Sequence, residues 1–461
     1  MAGSEQLAFA YGPAGQRVAA HGAAAPLPRR YTDVATWRGW RSVDRGYLGL
    51  LAFIVVLLVR PQDQVPALGA LHFAEIAAIL GIAPMVVDRL SRGLPPWRLT
   101  LESALMIAFG LLMLVAAPFS IWPGGAVGVV LDVYAKVLVV FLLMVSTLST
   151  PRRLEQIAWI ILVCCGYVAA RAVLDYARGV NLIEGGRVAG AVGGMFGNPN
   201  DLATNLVAFI PLGAVVAASR RHSARRRLLA AVIVGLMLAA IVFTQSRGGF
   251  IGLSAALAAL LLLGRHVRRG LGPLLIAGCV LSLPLLPGSF WERMGSIFDE
   301  ERDRVAYTGS RESRRVVMAE GLQAFLDHPL TGVGAGQFRN YNPTLRQERW
   351  RETHNALLQV AADLGAIGLA LFAWLILRGA RAGARTRARL TRLRGLPPGD
   401  GRGVDRAILV EHSVAASAGL IGWFVCALFA SVAYSWTFYL LLALAVVSRD
   451  LAAVLARDAA P

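Results

Sequence analysis

Residues 225–265 read RRRLLAAVIVGLMLAAIVFTQSRGGFIGLSAALAALLLLGR. This stretch contains two long apolar runs, with arginines before the first run and after the second and a short polar turn between them. Each run approaches the length that a helix needs to cross a hydrocarbon layer roughly 30 Å thick. Backbone groups in lipid must pair with one another, and the apolar residues are continuous rather than alternating. The stretch therefore predicts two antiparallel transmembrane helices.

Similar apolar runs recur along the 461-residue chain, which is 56% hydrophobic and only 16% charged. The predicted fold class is an all-α polytopic membrane protein with about 12 transmembrane helices. The predicted spans lie at residues 47–59, 66–87, 99–117, 124–147, 155–175, 200–218, 228–243, 249–264, 271–289, 355–377, 410–429 and 431–449.

Arginine-rich loops alternate with the other loops along the chain, beginning with the N-terminal segment. Short cytoplasmic loops carry an excess of Lys and Arg, so both termini are predicted to be cytoplasmic. The formal net charge of +18 has the same origin. Because no basic patch is interleaved with aromatic residues that stack on bases, we expect no nucleic acid partner.

The predicted spans form one membrane domain with a tail at each end. A disordered cytoplasmic tail, a transmembrane domain and a cytoplasmic C-terminal tail are predicted at residues 1–46, 47–450 and 451–461. Within the membrane domain, we expect a large periplasmic loop at 290–354 and a basic cytoplasmic loop at 378–408. The four cysteines fall within apolar segments, which indicates small buried side chains rather than metal ligands or disulfides.

Part of the periplasmic loop, Ser313–His328, is predicted to form an amphipathic helix. Apolar residues recur there every three or four positions, as one face of a helix requires. They are Val316, Ala319, Leu322 and Leu326. Two placements remain open for this helix, one lying on the membrane surface and the other capping the helix bundle.

Three polar clusters fall on the predicted periplasmic side. The first precedes the sixth span and contains Arg187, Asn198, Asn200 and Asp201. Glycines around these residues permit close backbone approach to a ligand. The two asparagines and the aspartate are also good helix N-cap residues, so capping is the alternative to substrate binding for them. Arg187 is harder to explain as a cap, and we predict that it binds substrate.

The second cluster, Thr244–Gly249, joins the seventh and eighth spans and contains Gln245 and Arg247. Ionisable residues at the mouth of apolar spans usually face the bundle interior and mark a substrate path. The alternative is an arginine that reaches outward to lipid phosphates. We favour the substrate path for Arg247.

The third cluster opens the tenth span and contains His354 and Asn355. A neutral imidazole can accept a proton from an alcohol near neutral pH, and a helix N-terminus disfavours the protonated form. The alternative is a structural histidine. Asn355, Gln359 and Asp363 recur every fourth residue, which predicts a polar stripe at the top of this helix.

The remaining polar features are assigned structural roles. Asp132 and Lys136 lie four residues apart in the fourth span and are predicted to pair with each other. Gly332–Gly336 lacks the Lys-Ser/Thr that follows a phosphate loop and predicts a turn. No zinc pattern or Asp-x-Asp motif is present on the outer face, so we expect a metal-independent reaction without a cofactor.

Two arginines and one histidine on the same side indicate a reaction. Arginine forks bind phosphate oxygens in bidentate fashion, which suits a lipid pyrophosphate leaving group whose growing charge they stabilise. The histidine would deprotonate the attacking hydroxyl.

At these residues the chain resembles the O-antigen ligase and O-antigen polymerase superfamily of bacterial envelopes. The resemblance extends over residues 180–375. The matching pieces are Gly-Arg187 with Phe-Gly-Asn-Pro-Asn-Asp201, Gln-Ser-Arg247-Gly-Gly, Gly-Ser-Arg311, His328-Pro-Leu-Thr-Gly-Val-Gly-Ala-Gly-Gln-Phe338 and Thr-His354-Asn-Ala-Leu-Leu.

The resemblance implies a C-type glycosyltransferase fold in the bacterial inner membrane and an undecaprenyl-pyrophosphate-linked glycan donor. By position it implies that His354 is the base, that Arg187 and Arg247 bind the pyrophosphate, and that Arg311 is a further helper. The expected partners are this donor, an acceptor and membrane lipid. The residues expected to support the site are Asn198, Asn200, Asp201, Gln245 and Asn355.

The acceptor remains open within this resemblance. Lipid A-core would make the protein a ligase, another glycan chain a polymerase, and a Ser or Thr side chain a protein glycosylase; we favour the ligase. A transporter is a different class, which predicts discontinuous helices near the midplane and internal repeats, and neither is evident in the sequence. A sensor or scaffold, the third class, would tolerate loss of His354.

Overall fold

The computed structural model describes residues 44–459 except 66–67, 69–72, 184–185, 194–195, 271–287, 296–309, 342–351, 394 and 398–399. The predicted tail at 1–46 therefore lies outside the described residues except for its last three positions. So does the predicted span at 271–289 except for its last two, and Cys279 with it.

Helices make up nearly all of the regular structure in these residues. In chain order they are α1 (Arg45–Val59), α2 (Pro61–Gln64), α3 (Phe73–Ser91), α4 (Leu101–Ala116), α5 (Pro123–Val129), a π-helical turn (Val130–Tyr134), α6 (Ala135–Thr147), α7 (Pro151–Arg178), α8 (Pro199–Ala218), α9 (Ala224–Thr244), α10 (Arg247–Leu263), α11 (Arg265–Gly270), α12 (Gly288–Gly295), α13 (Ser310–Asp327), α14 (Ala356–Arg392), α15 (Gly401–Ala427) and α16 (Trp436–Asp458). The strands β1 (Leu182–Ile183) and β2 (Arg187–Val188) pair antiparallel, with Ile183 opposite Arg187.

The helices confirm an all-α polytopic membrane protein. In the described part of the chain, 9 helical segments are long and apolar enough to cross a membrane, and α10 is a shorter apolar helix. The predicted total of about 12 spans stays a prediction. Within the apolar stretches of α8, α16 and α15, 89%, 83% and 78% of the residues are buried, so these three helices form the centre of the bundle.

Ion pairs tie the helices together at one end of the bundle. The carboxylate of Glu102, which is fully buried, pairs with Arg378 at 2.6 Å and with Arg449 at 2.7 Å. Arg221 pairs with Glu155 at 2.6 Å and with Glu411 at 2.7 Å. The three polar clusters described above lie at the opposite end, which we call the site end.

Two helices continue further than the sequence predicted. α14 extends to Arg392 and α16 to Asp458, so helix covers much of the predicted basic loop and of the predicted C-terminal tail. Arginine-rich, alanine-rich sequence has high helix propensity, and a helix that has already formed in the membrane extends into it without a new nucleation step.

The predicted pair between Asp132 and Lys136 is wrong. The ammonium group of Lys136 instead pairs with the carboxylate of Glu75 on α3, at 2.9 Å. Asp132 lies in the π-helical turn Val130–Tyr134, in which hydrogen bonds span five residues rather than four. Residues four apart therefore no longer stack along one helix face.

The amphipathic helix exists, as α13, but the face predicted to be apolar is not the one that packs on the bundle. Val316, Leu322 and Leu326 are 52%, 51% and 60% exposed. Val317 and Ala324 are buried instead, in a small cluster with Val333, Phe338, Tyr341 and Ala362. Small residues on this face allow α13 to approach α14 closely. A Cβ added at Gly321 would lie only 3.1 Å from the side chain of Leu358.

A break in α14 fixes the loop that follows α13. Gly365 has φ 66° and ψ −165°, a conformation that is essentially restricted to glycine. The carbonyls of Ala362 and Asp363 consequently accept the N–H groups of Val333 and Gly334, both at 2.9 Å. In return, Ala366 N–H donates to the carbonyl of Pro329 at 2.7 Å.

The Asp363 carboxylate completes this anchor. It is buried and accepts hydrogen bonds from the N–H groups of Gly336 and Phe338, at 3.0 and 3.1 Å, and from the Tyr434 hydroxyl at 3.0 Å. The glycine-rich segment from Gly332 to Gly336 thus forms a turn held on α14, with positive φ at three glycines.

Replacing Asp363 by Asn should loosen this turn. An amide has a single acceptor oxygen, so at least one buried donor loses its partner, at a cost of about 1–3 kcal/mol. We expect amide hydrogen exchange of residues 332–341 to accelerate about tenfold or more by that reasoning. Exchange in α9 should not change.

Tyr434→Phe is the matched control, because it removes one donor and leaves both backbone N–H groups paired. It should accelerate exchange in the turn much less than Asp363→Asn does. Equal exchange in the two variants, or no change in either, would contradict the anchoring role of the carboxylate.

Candidate functional site

The turn between α15 and α16 brings the site end together. The carbonyl of Leu428 accepts the side-chain N–H of Asn355 at 3.3 Å, and the Ser431 hydroxyl accepts the backbone N–H of His354 at 2.9 Å. The Gln359 side-chain oxygen accepts the N–H of Ala433 at 3.1 Å. We call residues 428–435 the hub turn. It fixes the start of α14 through three separate contacts.

His354 occupies an unusual backbone conformation in front of α14. Its φ is +53°, in the left-handed region that non-glycine residues rarely adopt. The next residue, Asn355, caps the helix by accepting the N–H groups of Leu357 and Leu358 at 2.9 and 3.0 Å. Such backbone strain persists only where surrounding contacts enforce it, and it concentrates at functional sites. The contact between His354 and Ser431 supplies this enforcement.

Arg187 joins the first two polar clusters from a buried position. Its side chain donates to the carbonyl of Thr244 at 3.0 Å and to the side-chain oxygen of Asn200 at 2.9 Å, and the residue is only 6% exposed. The same Asn200 oxygen accepts the hydroxyl of Ser246 at 2.9 Å. Arg187 therefore ties β2 to the start of α8 and the end of α9.

Arg247 is the first residue of α10 and lines a cleft together with two residues of the hub turn. Gln245, with φ +49°, ends α9, and Ser246 caps α10 by accepting the N–H of Gly249 at 3.2 Å. Arg247 is half-buried and lines a narrow cleft that also includes Asn200 and Ala430 of the hub turn. The hub turn is thus shared by the Arg247 cluster and the His354 cluster.

Asn198 caps α8, as the alternative interpretation expected. Its side-chain oxygen accepts the N–H groups of Asn200 and Asp201 at 2.8 and 3.0 Å. Its side-chain N–H donates to the carboxylate of Asp201 at 2.5 Å. Asn198 therefore positions the other two polar residues at the start of α8.

Two adjoining cavities open at the hub turn. The larger, about 560 Å³, lies between α1, α3, α8 and α14, and the smaller, about 140 Å³, lies against the turn anchored by Asp363. Gln359, Ser431 and Tyr434 line both. In the smaller cavity desolvation raises the pKa of Glu352, and the positive charge of Arg339 partly offsets this rise.

The predicted site residues therefore fall into one region. The hub turn bonds to His354 and Asn355 and lines the cleft of Arg247. The starts of α8 and α10 are surrounded by Arg187, Asn198, Asn200, Asp201 and Gln245. Arg311 lies in the first turn of α13, and its side chain is outside the described residues.

The sequence interpretation missed the hub turn itself. The sequence pattern places Ser431 and Tyr434 inside the predicted span 431–449, and it does not associate Arg60 and Lys136, which line the larger cavity, with the site. The available signal was the pair of serines, Ser431 and Ser435, in an otherwise apolar stretch.

The comparison with protein families agrees with this region of the chain. A family model described as O-antigen ligase matches residues 232–373, a segment that includes Arg247, Arg311 and His354 but not Arg187. No curated protein matches the chain. The matched segment contains the first residues of α10 and α14, so the comparison supports the resemblance to the O-antigen ligase and polymerase superfamily.

Proposed function

We propose that this protein transfers a glycan from undecaprenyl pyrophosphate to an acceptor hydroxyl at the periplasmic face of the bacterial inner membrane, with lipid A-core as the acceptor. The observation that carries the proposal is the hub turn, where Ser431 holds His354 and the neighbouring Ala430 lines the cleft of Arg247. A proton acceptor and a phosphate-binding cation thereby share one short segment of backbone.

In the proposed reaction, the acceptor oxygen attacks the anomeric carbon of the donor sugar. The bond between that carbon and the pyrophosphate oxygen breaks, and the pyrophosphate leaves on its lipid. The hydroxyl proton passes to the imidazole of His354. The guanidinium of Arg247 stabilises the charge that grows on the leaving group, because a fixed cation in a partly dehydrated site needs no reorganisation during the reaction.

The structure favours different roles for the two arginines. Arg187 is buried and committed to Thr244 and Asn200, which suits a residue that positions the pyrophosphate site from behind. Arg247 is half-buried beside a cleft, which suits direct contact with the diphosphate. Arg311 remains a proposed helper from the loop.

Replacing His354 by Ala should reduce glycan transfer about 10²–10⁴-fold, the usual contribution of a general base. Lipid-linked glycan should accumulate, and both are scored on a lipopolysaccharide gel and by extraction of the carrier lipid. Long chains left on the carrier would indicate a ligase, and single repeat units a polymerase.

His328→Ala is the matched control, since His328 is an exposed histidine at the end of α13 in the same loop. Transfer should remain near the wild-type level in that variant. Normal surface glycan in the His354→Ala strain would contradict the proposal, and normal glycan accompanied by altered ion flux would favour a transporter.

The two arginines should differ in how strongly they affect stability. Arg247→Ala should lower transfer about 10²–10³-fold, as loss of a preorganised charge-stabilising group does. The melting temperature of the purified protein should fall less than in Arg187→Ala, because Arg247 is half-buried and Arg187 is buried. Arg187→Ala should lower both transfer and the melting temperature. The carbonyl of Thr244 and the side-chain oxygen of Asn200 each lose a buried donor, which destabilises the fold by about 1–3 kcal/mol per lost donor. A stable but inactive Arg187→Ala variant would instead indicate direct contact with the donor.

A further inference from the structure

The larger cavity at the site end has the dimensions of a ligand site. Its volume of about 560 Å³ lies within the range of small-molecule pockets, roughly 300–1,000 Å³. Apolar side chains from α1 and α3 form part of its wall, and polar groups from α2, α3, the π-helical turn, α6, α8, α14 and the hub turn form much of the rest. Ser431, which accepts the backbone N–H of His354, is one of those polar groups.

The charges in this cavity distinguish it from the Arg247 cleft. Both cations in its described wall are already paired, Arg60 with Asp63 at 2.5 Å and Lys136 with Glu75 at 2.9 Å. Asp132 is exposed on the π-helical turn, and no cation pairs with it among the described residues. Asp201 supplies a further carboxylate to the same wall. A diphosphate placed here would face carboxylates, and such like-charge contacts cost several kcal/mol.

A prenyl chain would match only the apolar part of this wall. Hydrocarbon packed against its charged groups would strip them of water without replacing their hydrogen bonds, which is unfavourable. An uncharged sugar ring, in contrast, has hydroxyls around its edge and C–H groups on its faces. Carboxylate, amide and hydroxyl groups can pair with the hydroxyls, while an aromatic side chain offers an apolar surface to a face.

The residues of the cavity supply both kinds of surface. Asp132, Asp201 and Gln359 provide hydrogen-bond acceptors, and Trp436 lines the wall with its ring centre 5.9 Å from that of Phe53. We infer that this cavity is a subsite for an uncharged, hydroxyl-rich sugar unit, with Asp132 as a residue that selects against phosphorylated sugars. The inference rests on the proposed glycan transfer and adds the chemical class of what binds next to Ser431, the residue that holds the backbone of His354.

The source of the sugar is either the acceptor or the first residue of the donor glycan. Asp132→Asn tests both, because it keeps the shape of the side chain while removing its charge. The Michaelis constant for the glycan that binds here should rise about tenfold, the loss expected for one charge-assisted hydrogen bond, with kcat nearly unchanged. Core oligosaccharide released from lipopolysaccharide by mild acid serves as the probe, with and without phosphatase treatment.

Binding of this oligosaccharide should be measured by calorimetry on the purified full-length protein, separately from transfer. Wild type should prefer the phosphatase-treated form, and Asp132→Asn should lose much of that preference. Asp88→Asn, which changes an exposed carboxylate of α3 that is paired with Arg92, is the matched control and should behave as wild type. If wild type binds the phosphatase-treated oligosaccharide better than the phosphorylated one, the subsite is supported even where wild type shows no transfer. Absence of transfer would contradict only the proposed function.

Two results would distinguish an acceptor sugar from a donor sugar in the subsite, and a third would overturn the sugar subsite. A raised Michaelis constant for the acceptor, with weaker oligosaccharide binding, assigns the subsite to the acceptor. A raised constant for the donor alone assigns it to the first sugar of the donor. If wild type transfers glycan and Asp132→Asn changes neither constant nor the discrimination against phosphate, the cavity is not a sugar subsite.

Discussion

The break in α14 at Gly365 is the constraint on which the site end depends. A continuous helix would use the carbonyls of Ala362 and Asp363 for its own hydrogen bonds, and none would remain for the loop. With φ 66° and ψ −165° at Gly365, those carbonyls instead hold Val333 and Gly334. The loop then follows α14 closely enough for its N–H groups to reach the Asp363 carboxylate. Glycine is needed because a Cβ at this position would lie 2.5 Å from the backbone of Leu330.

The hub turn likewise depends on polar backbone groups that find partners outside regular helix. Inside a membrane domain, polar backbone groups outside helices must find partners in the protein, so a turn between two central helices requires side chains to satisfy it. Asn355, Gln359 and Tyr439 do so for the hub turn, the last by donating its hydroxyl to the carbonyl of Ala433 at 3.0 Å. These bonds also hold the start of α14 in place. The left-handed backbone at His354 is therefore a consequence of how the turn is satisfied.

The sequence predicted the helices well because lipid imposes a uniform requirement on every span. Length and hydrophobicity alone located α4, α7, α8 and α9 close to their observed positions. The same reasoning failed wherever a contact between distant residues decided the outcome. The π-helical turn moves Asp132 and Lys136 off a common helix face. The local sequence pattern does not indicate that Lys136 pairs with Glu75 of α3 instead.

The candidate site was predictable in its residue types but not in its arrangement. Arginine and histidine in the predicted outer loops indicated phosphate binding and proton transfer. The sequence did not indicate that Arg187 is buried while Arg247 is only half-buried. The exposed stripe of α13 shows the same limit, since the pattern identified a helix while the choice of packed face depended on the small residues Gly321 and Ala324. Hydrophobic periodicity indicates which residues share a helix face. Which face is buried depends on the packing of the neighbouring helix.

Charge divides the site end into two regions on either side of the hub turn. Among the described residues, one cation, Arg247, lines the cleft at the start of α10, and three carboxylates together with two paired cations line the larger cavity. The proposed transfer from a diphosphate to a hydroxyl fits this asymmetry, because a leaving group that gains negative charge and an uncharged glycan are stabilised by opposite surroundings. In that proposal, a larger cavity without carboxylates would let the lipid diphosphate bind there and block the acceptor. The hub turn separates the two regions by a few residues of backbone, and it is there that His354 is held.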